Sequence, residues 1–257
     1  MDRALISVEH FRDLSEYLLI ATQHGLGLEL QEFSEPAVLD GDWRSLLDRY
    51  QQALADFPGI RSMHGPYIDL VSGSPDMRLV ALTRERYLHS LEIGHELGVR
   101  YIDFHANYLP LVDHPNYLPG WIERQVVFWS AMAERAEQYD IVLLLENMWE
   151  PDPAILNSIL DRIPSPYLKA CLDVGHAALY SRLSISAWIK ALGQNLIYTH
   201  LHNNHGNMDV HLAFGEGVLD FAEVLAMLRA LPQPPLFGLE LPDLASIKAS
   251  LPYLQLA

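Results

Sequence analysis

The chain has 257 residues, 50% apolar and 19% charged, a composition that excludes an intrinsically disordered chain and a small disulfide scaffold and predicts a globular protein with a large core. Lys and Arg number 17 against 33 Asp and Glu, and the formal charge of −16 argues against electrostatic capture of nucleic acid or of an anionic membrane. A single cysteine, Cys171, excludes an internal disulfide and a multi-cysteine zinc site, so any metal must be held by His and carboxylates.

No window approaches the roughly 18 consecutive apolar residues of a membrane span. The start, MDRALISVEHF, lacks an apolar stretch ending in small residues. The expectation is a soluble, unexported, cytoplasmic protein.

Short β-type apolar runs recur in chain order: ALISV (4–8), LGLELQEF (26–33), IRSMHG (60–65), RYIDFHA (100–106), IVLLLEN (141–147), LKACLDV (168–174), LIYTHLHNN (196–204) and LFGLEL (236–241). The first, ALISVEHF, suits an irregular lead-in equally well. Between the runs lie segments with helical periodicity, such as Leu14, Tyr17, Leu18 and Ala21, or Leu46, Tyr50 and Leu54, or Phe221, Val224, Leu225 and Leu228. Asp13 is placed to cap the first helix, Thr83 or Asp76 stands near the start of the third, and Gly98 and Gly193 follow helices as stops. Strand then helix, eight times, with no Pro/Gly/Ser linker, predicts one α/β domain over residues 1–257, a single (β/α)8 TIM barrel.

In such a barrel the active site lies at the C-terminal ends of the strands. Ionisable residues collect there: His64 after strand 3, His105 after strand 4, Glu146 after strand 5, Asp173 and His176 after strand 6, His202 after strand 7, Asp209 and His211 in the following loop, and Glu240 after strand 8. Any one of these suits a packing or capping role. Nine together would be prohibitively costly to bury without a cation, and nine donors exceed what one ion takes, so two or three divalent ions are expected, with a carboxylate such as Glu146 bridging. A mixed imidazole and carboxylate set suits zinc or manganese.

The other histidines read differently. His10, His24, His89, His95 and His114 are expected in solvent. His200 shares a strand face with His202 but lies deeper, in a hydrogen-bonded core role, and His205 beside the site is as readily a bystander as a substrate contact. Cys171, mid-strand, is read as packing. Tyr67, Tyr108, Trp149 and Phe214 could stack on a sugar or base, or pack a lid. Glu216 in GEG could orient a ligand, or its glycines could serve the loop's conformation. There is no G-x-S-x-G, no G-x-x-x-x-G-K-[ST] and no strand-following G-x-G-x-x-G, and no lysine stands at a strand's C-terminal end. Serine hydrolase, P-loop, dinucleotide and Schiff-base chemistries therefore lack support.

Over essentially its whole length the chain resembles the xylose isomerase-like TIM-barrel superfamily, in particular the endonuclease IV or AP endonuclease family 2 branch. The resemblance lies in HGPY (64–67), His105, LLLEN (143–147), DVGH (173–176), HLHNN followed by DVH (209–211) and GEG (215–217), and Glu240 in GLEL. It implies that His64, His105 and Glu146 bind one metal, Glu146, Asp173, His202 and Glu240 a second, and His176, Asp209 and His211 a third. It also implies phosphodiester hydrolysis by a metal-bound hydroxide. Isomerases and epimerases of the superfamily keep only the quartet, whose two glutamates serve as acid and base on a keto-sugar.

The expected activity is therefore metal-dependent phosphoester hydrolysis of a small sugar or sugar-phosphate substrate, with Glu146, Glu240 and His176 catalytic and Tyr67 and Glu216 contacting substrate. The alternative is a one-metal sugar isomerase or epimerase using Glu146 and Glu240 as acid and base. Abasic DNA is disfavoured by Glu35, Asp40 and Asp42 in the loop after strand 2, and by Val210 between Asp209 and His211. A barrel that only binds metal or ligand is a further, non-enzymatic reading. Nothing in the sequence specifies an oligomeric state.

Overall fold

The computed structural model describes residues 1–110 and 116–256, which leaves His114 outside the described residues. Eight parallel strands close into a barrel in sequential order. They are β1 (Ala4–Val8), β2 (Gly27–Leu30), β3 (Arg61–His64), β4 (Tyr101–His105), β5 (Val142–Glu146), β6 (Leu168–Asp173), β7 (Leu196–Leu201) and β8 (Leu236–Leu239). ALISV is a true strand: Leu5 pairs with Gly27 of β2 and with Gly238 of β8, and so completes the closure.

The helices between the strands bury the stripes that the periodicity marks, including Leu14, Tyr17 and Ala21 in Leu14–His24, Tyr50 and Leu54 in Trp43–Leu54, and Phe221, Val224, Leu225 and Leu228 in Phe221–Arg229. Asp13 occupies the cap position of the first helix, but its carboxylate accepts from Arg12 Nε at 3.3 Å and makes no capping bond. Asp76, rather than Thr83, caps Met77–Leu97, accepting from the Arg78 N–H at 2.9 Å. Thr83 lies inside that helix and donates to the Leu79 carbonyl. Gly98 and Gly193 end their helices with positive φ. Among the described residues no helix is long and apolar enough to cross a membrane.

Side chains alternate between the two faces of a strand, and here the alternation sorts apolar from ionisable residues. Outward residues join the main core beneath the helices. Inward, Leu5, Val142, Leu144, Cys171, Tyr198 and Leu236 form a separate apolar plug. Cys171 packs there as expected, with burial raising its thiol well above the usual range. Two residues further along the same faces stand Ser7, Glu146, Asp173 and His200, so the polar layer rests on a rigid apolar floor. Gly238 is required by this arrangement: a Cβ would lie 2.9 Å from the Tyr198 ring and 3.1 Å from His200 Cδ2.

Candidate metal centre

His64 and His105, at the ends of adjacent strands, converge on Glu146. The Nδ1 of His64 sits 2.7 Å from the Gly65 carbonyl, and its Nε2 is 3.8 Å from Glu146 Oε2. The Nε2 of His105 is 3.4 Å from the same oxygen. Half-buried Tyr67 lies against both rings, with centroid separations of 5.1 and 4.9 Å.

The D-V-G-H segment works because Asp173 ends β6 and also caps the helix Val174–Tyr180. Its Oδ1 accepts the His176 N–H at 2.6 Å, which sets His176 one turn on, while Oδ2 lies 3.0 Å from His202 Nε2. Asn147, following Glu146, ties this corner to β5 through two 3.0 Å bonds with the Asp173 backbone. His176 Nδ1 lies 3.0 Å from the Asn147 carbonyl and 3.4 Å from Glu146 Oε1, and its Nε2 lies 3.1 Å from Asp209 Oδ2.

Asn203 shapes the loop after β7: it donates to the carbonyls of Phe214 and Leu219 and accepts from the Leu219 N–H. The loop thereby returns Asp209 and His211 to the cluster, with His211 Nε2 at 3.2 Å from Asp209 Oδ1 and Nδ1 at 3.1 Å from the Glu240 carbonyl. Glu216 is exposed and stands in none of the donor groups. Tyr108 packs on Trp121, and Phe214 stacks on Phe221 at 4.0 Å, so neither is free to stack on a ligand.

The nine expected residues, together with His200, fall into three adjoining groups, within each of which the ligand atoms lie within 4.8 Å of one another: His64, His105 and Glu146; Glu146, Asp173, His200 and Glu240; and His176, His202, Asp209 and His211. The division differs from the expected one at one point. His200 takes the place in the quartet expected for His202, and His202 stands with the outer group, because His200 is a layer deeper on β7. Its Nδ1 is 3.2 Å from Glu146 Oε1 and 3.6 Å from Glu240 Oε2. A further buried trio joins Asp103 and His200 to Cys171 of the plug.

The electrostatics of these groups fit a cation. Both oxygens of Glu146 and of Asp103, together with His200 Nδ1, His202 Nδ1 and Asp209 Oδ1, are buried without a hydrogen-bond partner, a costly arrangement unless a cation satisfies them. Burial alone would raise the Glu146 carboxyl, but the His200 and His105 imidazoles hold it well below the usual range. Burial and then Glu146 push Asp103 well above it. Despite burial, Asp173, Asp209 and Glu146 raise His176, and Cys171 followed by Glu29, Glu240 and Glu146 raises His200, well above the ordinary imidazole value. Protons on these rings stand where a metal would supply the charge. The donor set, N and O from His, Asp and Glu, is the one zinc and manganese take.

Residues 26–256 match the family model described as the xylose isomerase-like TIM barrel. The chain belongs to this family. An uncharacterized protein of Methanocaldococcus jannaschii, MJ1311, is 29% identical over 204 residues, which cover 76% of this chain and 66%, just under two thirds, of that relative. The xylose isomerase-like fold is also that of the TTHB071 protein from Thermus thermophilus, solved after soaking with ZnCl2: it is 29% identical, with a TM-score of 0.78 over 99% of this chain and 97% of that one. A D-tagatose 3-epimerase-like protein superposes with a TM-score of 0.81 at 23% identity, covering 96% of this chain and 94% of that one.

Beyond the expected residues, this xylose isomerase-like barrel places His200, Glu29 and Gln31 at or beneath the cluster. In the sequence Glu29 and Gln31 sit inside the otherwise apolar run LGLELQEF, where only their period-two spacing sets them on one face.

Proposed function

We propose that the chain is a divalent-metal-dependent isomerase or epimerase of a small, uncharged keto-sugar. The observation that carries this reading is the convergence of two carboxylates, Glu146 from β5 and Glu240 after β8, on the single Nδ1 of His200. Glu146, Asp173, His200 and Glu240 would hold the ion, zinc or manganese, which when bound supplies polarisation of a carbonyl and its neighbouring hydroxyl. Glu146 and Glu240 then move the proton on the adjacent carbon, one removing it and the other returning one to the opposite face. His176, within reach of both Glu146 and Asp209, is placed to hydrogen-bond substrate oxygens. Tyr67 gives the sugar an apolar face to pack on.

The charge around the opening supports an uncharged substrate. After burial, what raises the Tyr67 phenol is the charge of four carboxylates, Glu35, Glu240, Glu9 and Glu146. Such a field repels a phosphate and leaves a polyol indifferent. The epimerase-like neighbour in fold is consistent with this choice.

Phosphoester hydrolysis by two or three ions is the second reading, favoured by the two complete donor groups that adjoin the quartet. One experiment separates the two. The metal-loaded protein is incubated with a panel of ketohexoses and ketopentoses in D2O, and in parallel with phosphomonoesters and phosphodiesters. Deuterium entering next to the carbonyl, abolished in Glu240→Gln, supports epimerisation. Release of phosphate from a monoester, or of an alcohol and a phosphomonoester from a diester, without exchange supports hydrolysis.

A further inference from the structure

We propose that β2 and the residue after it supply the positioning residues of this centre: Glu29 fixes the orientation of His200, and Gln31 that of Glu240. The inference rests on the reading that His200 and Glu240 belong to the quartet. Glu29 is completely buried inside the barrel. Each of its oxygens lies 3.1 Å from His200 Nε2. Tyr198 donates its hydroxyl to Oε2 at 2.6 Å and Ser7 donates to Oε1 at 3.2 Å, so the carboxylate itself is locked from two sides.

An imidazole has two nitrogens, and the one that donates to a partner decides which is left to bind. With Nε2–H held by Glu29, Nδ1 is left, and this is the nitrogen that faces Glu146 and Glu240 without a hydrogen-bond partner. A ring turned over would lose the Glu29 bond. Gln31 extends the device: its Nε2 donates to Glu240 Oε1 at 3.0 Å and reaches Glu29 Oε1 at 3.5 Å. Oε1 of Glu240 is thus engaged, and Oε2 is the oxygen that faces His200. A buried carboxylate is costly without a partner, and His200 is the titratable base that Glu29 meets. Ser7 and Tyr198 alone could have been satisfied by any neutral acceptor. The charge of Glu29 also makes His200 a stronger donor to a cation.

The test is the zinc dissociation constant of the full-length chain by chelator competition, for the wild type, Glu29→Leu, Glu29→Gln, Gln31→Leu and His200→Ala. Metal-free melting temperatures and the 15N signals of His200 in the zinc-loaded protein are recorded alongside. For the ion that His200→Ala loses, Glu29→Leu is expected to weaken binding about 10–100-fold. Glu29→Gln, which keeps a carbonyl acceptor for Nε2–H, should recover most of that loss and keep the Nδ1-bound 15N pattern. If Glu29→Leu does not fold, Gln31→Leu decides, with a loss near the low end, about tenfold, beside a Glu29→Gln variant that keeps near wild-type affinity. Unchanged zinc affinity in the Glu29 and Gln31 variants, with a lowered melting temperature and with His200→Ala still losing its ion, overturns the inference and leaves the quartet standing. Equal zinc binding by the wild type and His200→Ala overturns the quartet and the inference together.

Discussion

The rings of His202 and His211 lie face to face, 3.8 Å between centroids and 5° from parallel. One comes from the barrel and the other from the loop after β7, so their contact joins that loop to the strand ends. Both belong to the outer group with His176 and Asp209. His211→Ala removes a donor and the stacking partner of His202. The expected outcome is retention of the ion proposed for the quartet, with loss of any ion that the outer group binds, read as zinc per chain by elemental analysis.

The proton on His211 makes outer-group binding depend on pH. Burial disfavours the imidazolium, but Glu240 and Asp209 outweigh it and push the group up to about 9. Below that pH the metal-free ring is charged, and an incoming ion must displace its proton. Apparent affinity should therefore rise with pH toward about 9 and level off above it. Calorimetry in buffers of different ionisation enthalpy should record proton release on binding, reduced in His211→Ala; a binding heat independent of buffer contradicts the assignment.

Gly175, inside D-V-G-H, has no room for a side chain, since a Cβ would stand 2.0 Å from His202 Cε1. Gly175→Ala must push the His202 ring or the helix Val174–Tyr180 aside. The expected cost is about 1–3 kcal/mol in denaturant unfolding, with weakened zinc binding in the outer group. A variant of wild-type stability and zinc content would show that the corner yields freely.

Far from the site, Arg229 donates to both carboxylate oxygens of Asp2, and the Gln255 N–H donates to Oδ2 at 2.7 Å, tying the two ends of the chain together. Burial would raise Asp2, yet Arg229 and the Gln255 bond hold it below the ordinary 3.8. A depressed carboxyl stabilises the fold above its unfolded value and ceases to do so as pH falls through the folded one. Asp2→Asn is thus expected to cost about 1 kcal/mol at neutral pH and less near pH 3, measured by urea unfolding at the two pH values.

Much of this was legible in the sequence because two simple periodicities coincide. Apolar runs of strand length recurred eight times, and the inward positions of a parallel barrel end in side chains of one chemical kind, which brought His64, His105, Glu146, Asp173 and Glu240 to one opening. Depth along a strand was not legible. His200 and His202 share a face, and only the position of the Tyr198 layer decides which of them meets Glu146. Glu29 was hidden for a related reason: its partners Ser7, Tyr198 and His200 come from β1 and β7, and no local pattern announces a carboxylate that is satisfied across a barrel. The outer group depended on Asn203 folding a loop back, a tertiary event without periodicity.

His200 is proposed as the histidine that completes the quartet with Glu146, Asp173 and Glu240. The most direct test of this assignment is metal content per chain by inductively coupled plasma mass spectrometry, on protein purified without added metal or chelator, for the wild type, His200→Ala and His202→Ala. The expected result is that His200→Ala loses an ion, and with it deuterium exchange into a keto-sugar, whereas His202→Ala keeps that ion. An ion and an exchange activity that survive His200→Ala and disappear in His202→Ala would contradict it.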